Sequence, residues 1–141
     1  MPRVFVYGTL RAGEVNDLNH AAARHGIAAP ALVGTGTIAG RLYDFGTYPG
    51  LVLDAGAGDV IGDIYDIPDA LLPVLDEIEE VYPGQATLFV RETRAVTCNG
   101  ALVDCLLYPV ADAAVAGLQR IDGGDWVAYR HARQSSARTP A

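Results

Sequence analysis

The sequence predicts an α+β domain: a small mixed β-sheet, curved or closed into a barrel, with two flanking helices packed on it. Three observations lead there. Short β-prone segments outnumber helical ones. Sixteen glycines in 141 residues mark closely spaced turns and close backbone approaches. Nothing alternates in the strict strand-helix-strand manner of a parallel sheet. The length suits one domain that buries roughly two-thirds of its unfolded surface. Half the residues are hydrophobic and 19% are charged, which excludes a disordered chain and leaves no need for a disulfide scaffold.

The elements follow in order. Val4 to Tyr7 is a β-rich run that stops at Gly8. Asn16 to Arg24 carries helix formers behind an Asn or Asp that can cap them, a first helix that Pro30 ends. Thr37 to Phe45 and Leu51 to Leu53 are strands joined by a turn at Tyr48-Pro49-Gly50. Val60 to Ile67 alternates as a strand. The clearest helix is ALLPVLDEIEEVY, residues 70–82, with Asp69 as N-cap and Pro73 early enough to spare most hydrogen bonds. Val90 to Cys98 and Ala101 to Val110 form a hairpin about Asn99-Gly100. Residues 1–129 make the domain. Residues 130–141, with Arg130, His131, Arg133 and Arg138, read as a flexible basic C-terminal tail.

Seventeen acidic residues against ten basic ones give a net charge of -7. That balance argues against non-specific binding to nucleic acid or to an anionic membrane, both of which need a basic field. It does not exclude a small anionic substrate held by local groups. No stretch approaches the roughly 18 apolar residues of a membrane span, and MPRVFVYGTLR lacks the apolar core of a secretory signal, so a cytoplasmic protein is expected. In a two-residue hairpin Cys98 faces Ala101 and Cys105 faces Arg94. The sulfurs then stand about four strand positions apart at roughly 3.3 Å each, too far for a disulfide, which needs Cα atoms within about 7 Å. Two buried free thiols are expected.

Several patterns resemble functional motifs without their context. Gly34, Gly36 and Gly40 imitate a dinucleotide fingerprint, but the spacing is wrong and a β-prone run follows instead of a helix. His20, His25 and His131 have neither metalloprotease spacing nor cysteine neighbours, so no metal site is expected. No nucleophile elbow occurs.

The acidic helix is more informative. At about 100° per residue, Leu71, Val74, Leu75 and Ile78 share one face, and Asp76, Glu77 and Glu80 point away. Glu79 falls on the margin of the buried stripe, roughly 80° from Leu71. Such a carboxylate either turns to water, pairs with Arg91 or Arg94, or serves as a desolvated general base. The turn at Tyr7-Gly8-Thr9-Leu10 can present successive backbone N-H groups as a nest for a carboxylate or a polarised carbonyl oxygen.

VYGTLR at 6–11, GRLYDFGTYPGLV at 40–52, VIGDIYDI at 60–67, LDEIEE at 75–80 and FVR at 89–91 occur in the order and spacing of the gamma-glutamylcyclotransferase-like family, which includes gamma-glutamylamine cyclotransferases and AIG2-like proteins. The similarity covers about residues 3–110, and GDW at 124–126 resembles the family's usual ending. The resemblance implies a small β-barrel with flanking helices, a substrate-binding turn at Tyr7, Gly8, Thr9 and Leu10, and Glu79 as proton acceptor. Arg11 and Arg91 are then candidates for binding a substrate carboxylate or orienting Glu79, unless they are solvated surface arginines. Glu80 stands where the family often has glycine, and Phe89 where it often has tyrosine. The implied activity is an acyltransferase-type conversion of a gamma-glutamyl amine or amino acid to 5-oxoproline and free amine. It needs no metal and no cofactor, has a small molecule as its partner, and runs in a monomer or homodimer. Two other readings stay open: a non-catalytic binding module of the same fold, and a hydrolase pairing Glu79 with Asp63 or Asp66.

Overall fold

The computed structural model describes residues 2–12, 14, 17–46, 48–78 and 91–138. Among the described residues, seven strands and three α-helices follow in the order β1 (Arg3–Val6), α1 (Leu18–Arg24), β2 (Ala31–Asp44), β3 (Pro49–Leu53), β4 (Asp59–Asp66), α2 (Leu72–Ile78), β5 (Glu92–Cys98), β6 (Ala101–Leu107), β7 (Arg120–Ile121) and α3 (Trp126–Arg138). Five strands close a ring. β2 pairs antiparallel with β4, β4 antiparallel with β1, β1 parallel with β6, and β6 antiparallel with β5; β5 returns to β2 through Thr37 and Thr97. The result is a mixed five-stranded barrel in an α+β fold, as expected. The outer half of β2 leaves the ring to pair with β3 and β7.

Both faces of β1 are buried, which explains its unbroken apolar run. Phe5 joins Ile64, Val96, Cys105 and Leu107 inside the barrel, together with Trp126 from α3. Val4 and Val6 face outward onto Leu18 and Ala22 of α1 and Leu71 and Leu75 beside and within α2. The hairpin register pairs Cys98 with Ala101 and Cys105 with Arg94. Asn99 and Gly100 take φ of 52° and 80°, the left-handed pair that a two-residue turn needs. Both cysteines are free and buried, and burial pushes the Cys105 thiol up to about 11.

Four expectations are corrected. Pro49 and Gly50 do not form the β2–β3 turn; Pro49 begins β3, a position that costs proline no ladder bond, and the turn is closed by Phe45 N donating to Tyr48 O at 3.0 Å. Asp69 is not an N-cap: it starts a 3₁₀ turn, Asp69–Leu71, that leads into α2 and has no side-chain cap bond. α1 ends at Arg24 with Gly26 at φ 65°, ahead of Pro30. From residue 130 to Arg138, within the stretch expected as a tail, the backbone continues α3, a third helix beside the expected two. Trp126 is wholly buried, Asp125 Oδ1 accepts from Ala128 N at the helix start, and Arg130 pairs with Glu14.

At the far end of β1 and β4, Arg3 donates to Asp66 Oδ1 at 2.8 Å. That hydrogen bond, reinforced by the charge of Arg3, holds the Asp66 carboxyl below its ordinary value. A folded pKa below the unfolded value of about 3.9 stabilises the fold above that pH, and the gain is lost as pH falls through the folded value. The melting temperature of the wild type should therefore exceed that of Asp66→Asn near neutrality, and the gap should close below about pH 4. A gap that persists undiminished in stronger acid would contradict this assignment.

Candidate active site

The turn after β1 is built by long-range contacts. Tyr7 is buried; its hydroxyl donates to Tyr108 O at 2.7 Å and accepts from Leu51 N at 3.2 Å. Gly8 lies against the Pro49 ring, so closely that a Cβ there would stand 2.6 Å from Pro49 Cγ. Arg11 N donates to Gly8 O at 3.1 Å and closes the turn, with Thr9 half-buried at its bend. Leu10 is buried, and its carbonyl accepts from Leu18 N at the start of α1. Asp17 caps that helix by accepting from Asn19 N at 2.8 Å.

Arg11 is largely enclosed. Its Nη1 donates to Asp125 Oδ1 at 3.0 Å, and its Nε lies 3.4 Å from Asp63 Oδ2, which also accepts from Ala12 N at 3.0 Å. The guanidinium thus ties the turn to β4 and to the start of α3. Asp63 is buried in this arrangement at 7% exposure. Asp66, paired with Arg3, lies three residues further along β4, roughly 10 Å away at the strand rise.

A second network starts at Tyr108. Its backbone carbonyl takes the Tyr7 hydroxyl, while its own hydroxyl donates to Asp76 Oδ1 at 2.7 Å. Arg91 Nη1 donates to Asp76 Oδ2 at 2.6 Å. The structure thereby joins Tyr7 to α2 through Tyr108, and Arg91 to the same carboxylate. Glu79, Glu80 and Phe89 lie outside the described residues.

Sequence reasoning passed over Tyr108 and Asp76. Asp76 stands three residues before Glu79 in the sequence, and Tyr108 directly follows the last β6 residue. These were the available signals. Gly34, Gly36 and Gly40 lie within β2, away from any strand-to-helix turn, and His20, His25 and His131 are exposed. Among the described residues no group of three or more His, Cys, Asp or Glu side chains could hold a metal ion, and no helix is long and apolar enough to cross a membrane.

The fold has known counterparts. A mouse AIG2-like protein superposes with a TM-score of 0.69 at 25% identity, over 86% of each chain. The Bacillus subtilis protein YkqA gives a TM-score of 0.71 at 24% identity, over 95% of this chain and 42% of its own. The Niallia circulans gamma-L-glutamyl-butirosin B gamma-glutamyl cyclotransferase is 41% identical over 94 residues, 64% of this chain and 55% of that relative's length. A Halalkalibacterium halodurans protein is 31% identical over 98 residues, 69% of this chain and 86% of its own. Residues 4–128 match the family described as gamma-glutamyl cyclotransferase, AIG2-like, a span that takes in the whole barrel, the turn at Tyr7 and the start of α3, and the chain belongs to that family.

Proposed function

We propose that the protein converts a gamma-glutamyl amine or gamma-glutamyl amino acid into 5-oxoproline and the free amine. The observation that carries this reading is the bonded line from turn to helix. Tyr7 is joined to Tyr108 and Tyr108 to Asp76, and Glu79 follows three residues later in the chain. The turn that resembles a substrate cradle and α2, which directly precedes the candidate base in the sequence, are thus held by one network.

The substrate's α-amine attacks its own γ-carbonyl carbon. A ring C-N bond forms, the amide C-N bond breaks, and the two protons lost by the α-ammonium end on the departing amine. Nothing is oxidised or reduced, and no further reactant is consumed. Nucleophile and electrophile share one molecule, so holding the folded conformer supplies much of the acceleration. The backbone N-H groups of Gly8 to Leu10 do this by receiving the α-carboxylate or the developing oxyanion. Glu79 takes a proton from the ammonium and returns it to the leaving amine. Arg11 fixes the turn, and Arg91 holds Asp76 in the helix that leads to Glu79. A protein with a charge of -7 thus binds a carboxylate-bearing substrate through local amide dipoles instead of its overall field.

A panel of gamma-glutamyl amines and amino acids, assayed for 5-oxoproline, tests the proposal. At least one member should yield lactam and free amine in equal amounts. Calorimetric binding without turnover would favour a binding module, and release of free glutamate would favour a hydrolase.

A further inference from the structure

We propose that α3 is a clamp that fixes the geometry of the substrate turn, with Arg130 as a positioning residue. The inference rests on the proposed reaction only for its catalytic consequence. α3 reaches the site from both sides. On one side, Asp125 Oδ1 accepts from Arg11 Nη1 at 3.0 Å and from Ala128 N at 3.2 Å, so one oxygen serves both the helix start and the turn. Arg130 then grips Glu14 with two parallel bonds, Nε to Oε1 at 2.9 Å and Nη2 to Oε2 at 2.6 Å. Glu14 is only 5% exposed, and its backbone N donates to Arg11 O at 3.0 Å. A fork-to-carboxylate pair of this kind fixes direction as well as distance.

On the other side, the Tyr129 hydroxyl donates to Asp44 Oδ2 at 2.6 Å, while Asp44 Oδ1 accepts from Gly46 N at 2.7 Å. This holds the β2–β3 tip, whose Pro49 ring packs on Gly8. Neighbouring residues on α3, Tyr129 and Arg130, therefore secure the two arms that enclose the turn. None of the five ladders that close the barrel involves α3. Trp126, a turn earlier, anchors the helix in the core. Release of Arg130 should loosen residues 8–14 and leave the barrel closed.

Arg130→Ala would leave the Glu14 carboxylate buried without its partner, which can unfold a protein for reasons unrelated to the turn. The double variant Glu14→Gln/Arg130→Met removes both charges and keeps much of the volume. Amide hydrogen exchange should rise across residues 8–14 of the double variant, with the β5–β6 hairpin unchanged. KM for a gamma-glutamyl substrate should rise, and kcat/KM should fall roughly 10- to 100-fold, the scale of a displacement of about 1 Å at a reacting centre. Arg130→Lys, which keeps charge but loses the fork, should fall between the wild type and the double variant. Unchanged exchange at residues 8–14, or a rise spread evenly over the barrel, would overturn the clamp. If exchange rises locally but the wild type forms no 5-oxoproline, the clamp stands and the reaction assigned to the site fails.

Discussion

Glu79→Gln is expected to slow 5-oxoproline formation by about 10²- to 10⁴-fold, the usual contribution of a positioned general acid and base. The substitution preserves shape and removes basicity, so thermal stability and substrate affinity should change little. The α-ammonium of the substrate cannot attack while it carries its full set of protons. A carboxamide cannot accept one at neutral pH, and the loss should therefore appear in kcat. Raising the pH should recover part of the lost rate, because the substrate amine then sheds its proton to solvent. A variant that turns over as fast as the wild type would remove Glu79 from the mechanism.

Gly8→Ala should be the most damaging single-methyl change in the turn. The new Cβ would lie 2.6 Å from Pro49 Cγ and 2.7 Å from Pro49 Cδ. A proline ring is closed on its own backbone and cannot swing aside, so the turn or the β2–β3 tip must move. Overpacking of this kind costs about 1–3 kcal/mol. Displacement of the turn amides should lower kcat/KM by roughly 100-fold. The double variant Gly8→Ala/Pro49→Ala makes room for the methyl group and should recover much of both losses. If the double variant is no better than Gly8→Ala alone, contact with Pro49 is not the reason glycine stands there.

Asn99-Gly100 between two β-prone runs sets the β5–β6 register, because a two-residue turn leaves one pairing open, and that register keeps the two thiols apart. The run Val4 to Tyr7 was readable as a strand for a similar local reason. β2 was harder, since Gly34, Gly36 and Gly40 interrupt its pattern. Gly36 is in the strand because the barrel interior is crowded there: a Cβ would come within 2.7 Å of Ile64 Cδ1. α3 left little trace, because from Arg130 onward its sequence is polar and its anchors are Trp126, Tyr129 and two ion pairs.

The site divides in the same way. Tyr7, Gly8, Thr9, Leu10 and Arg91 stood out in local motifs. The long-range pairings around the turn did not, because Tyr7 and Tyr108 are 101 residues apart, Arg11 and Asp125 are 114 apart, and Glu14 and Arg130 are 116 apart. No local periodicity encodes such pairings. They arise only when the barrel brings the end of β1 beside the end of β6 and the start of α3.

Oxygen labelling tests the central claim most directly. A gamma-glutamyl amide turned over in ¹⁸O-enriched water should give 5-oxoproline with an unlabelled ring carbonyl, because attack by the substrate's own nitrogen admits no water oxygen. Glutamate carrying one ¹⁸O in its γ-carboxylate would mean that water is the nucleophile, and would contradict intramolecular cyclisation.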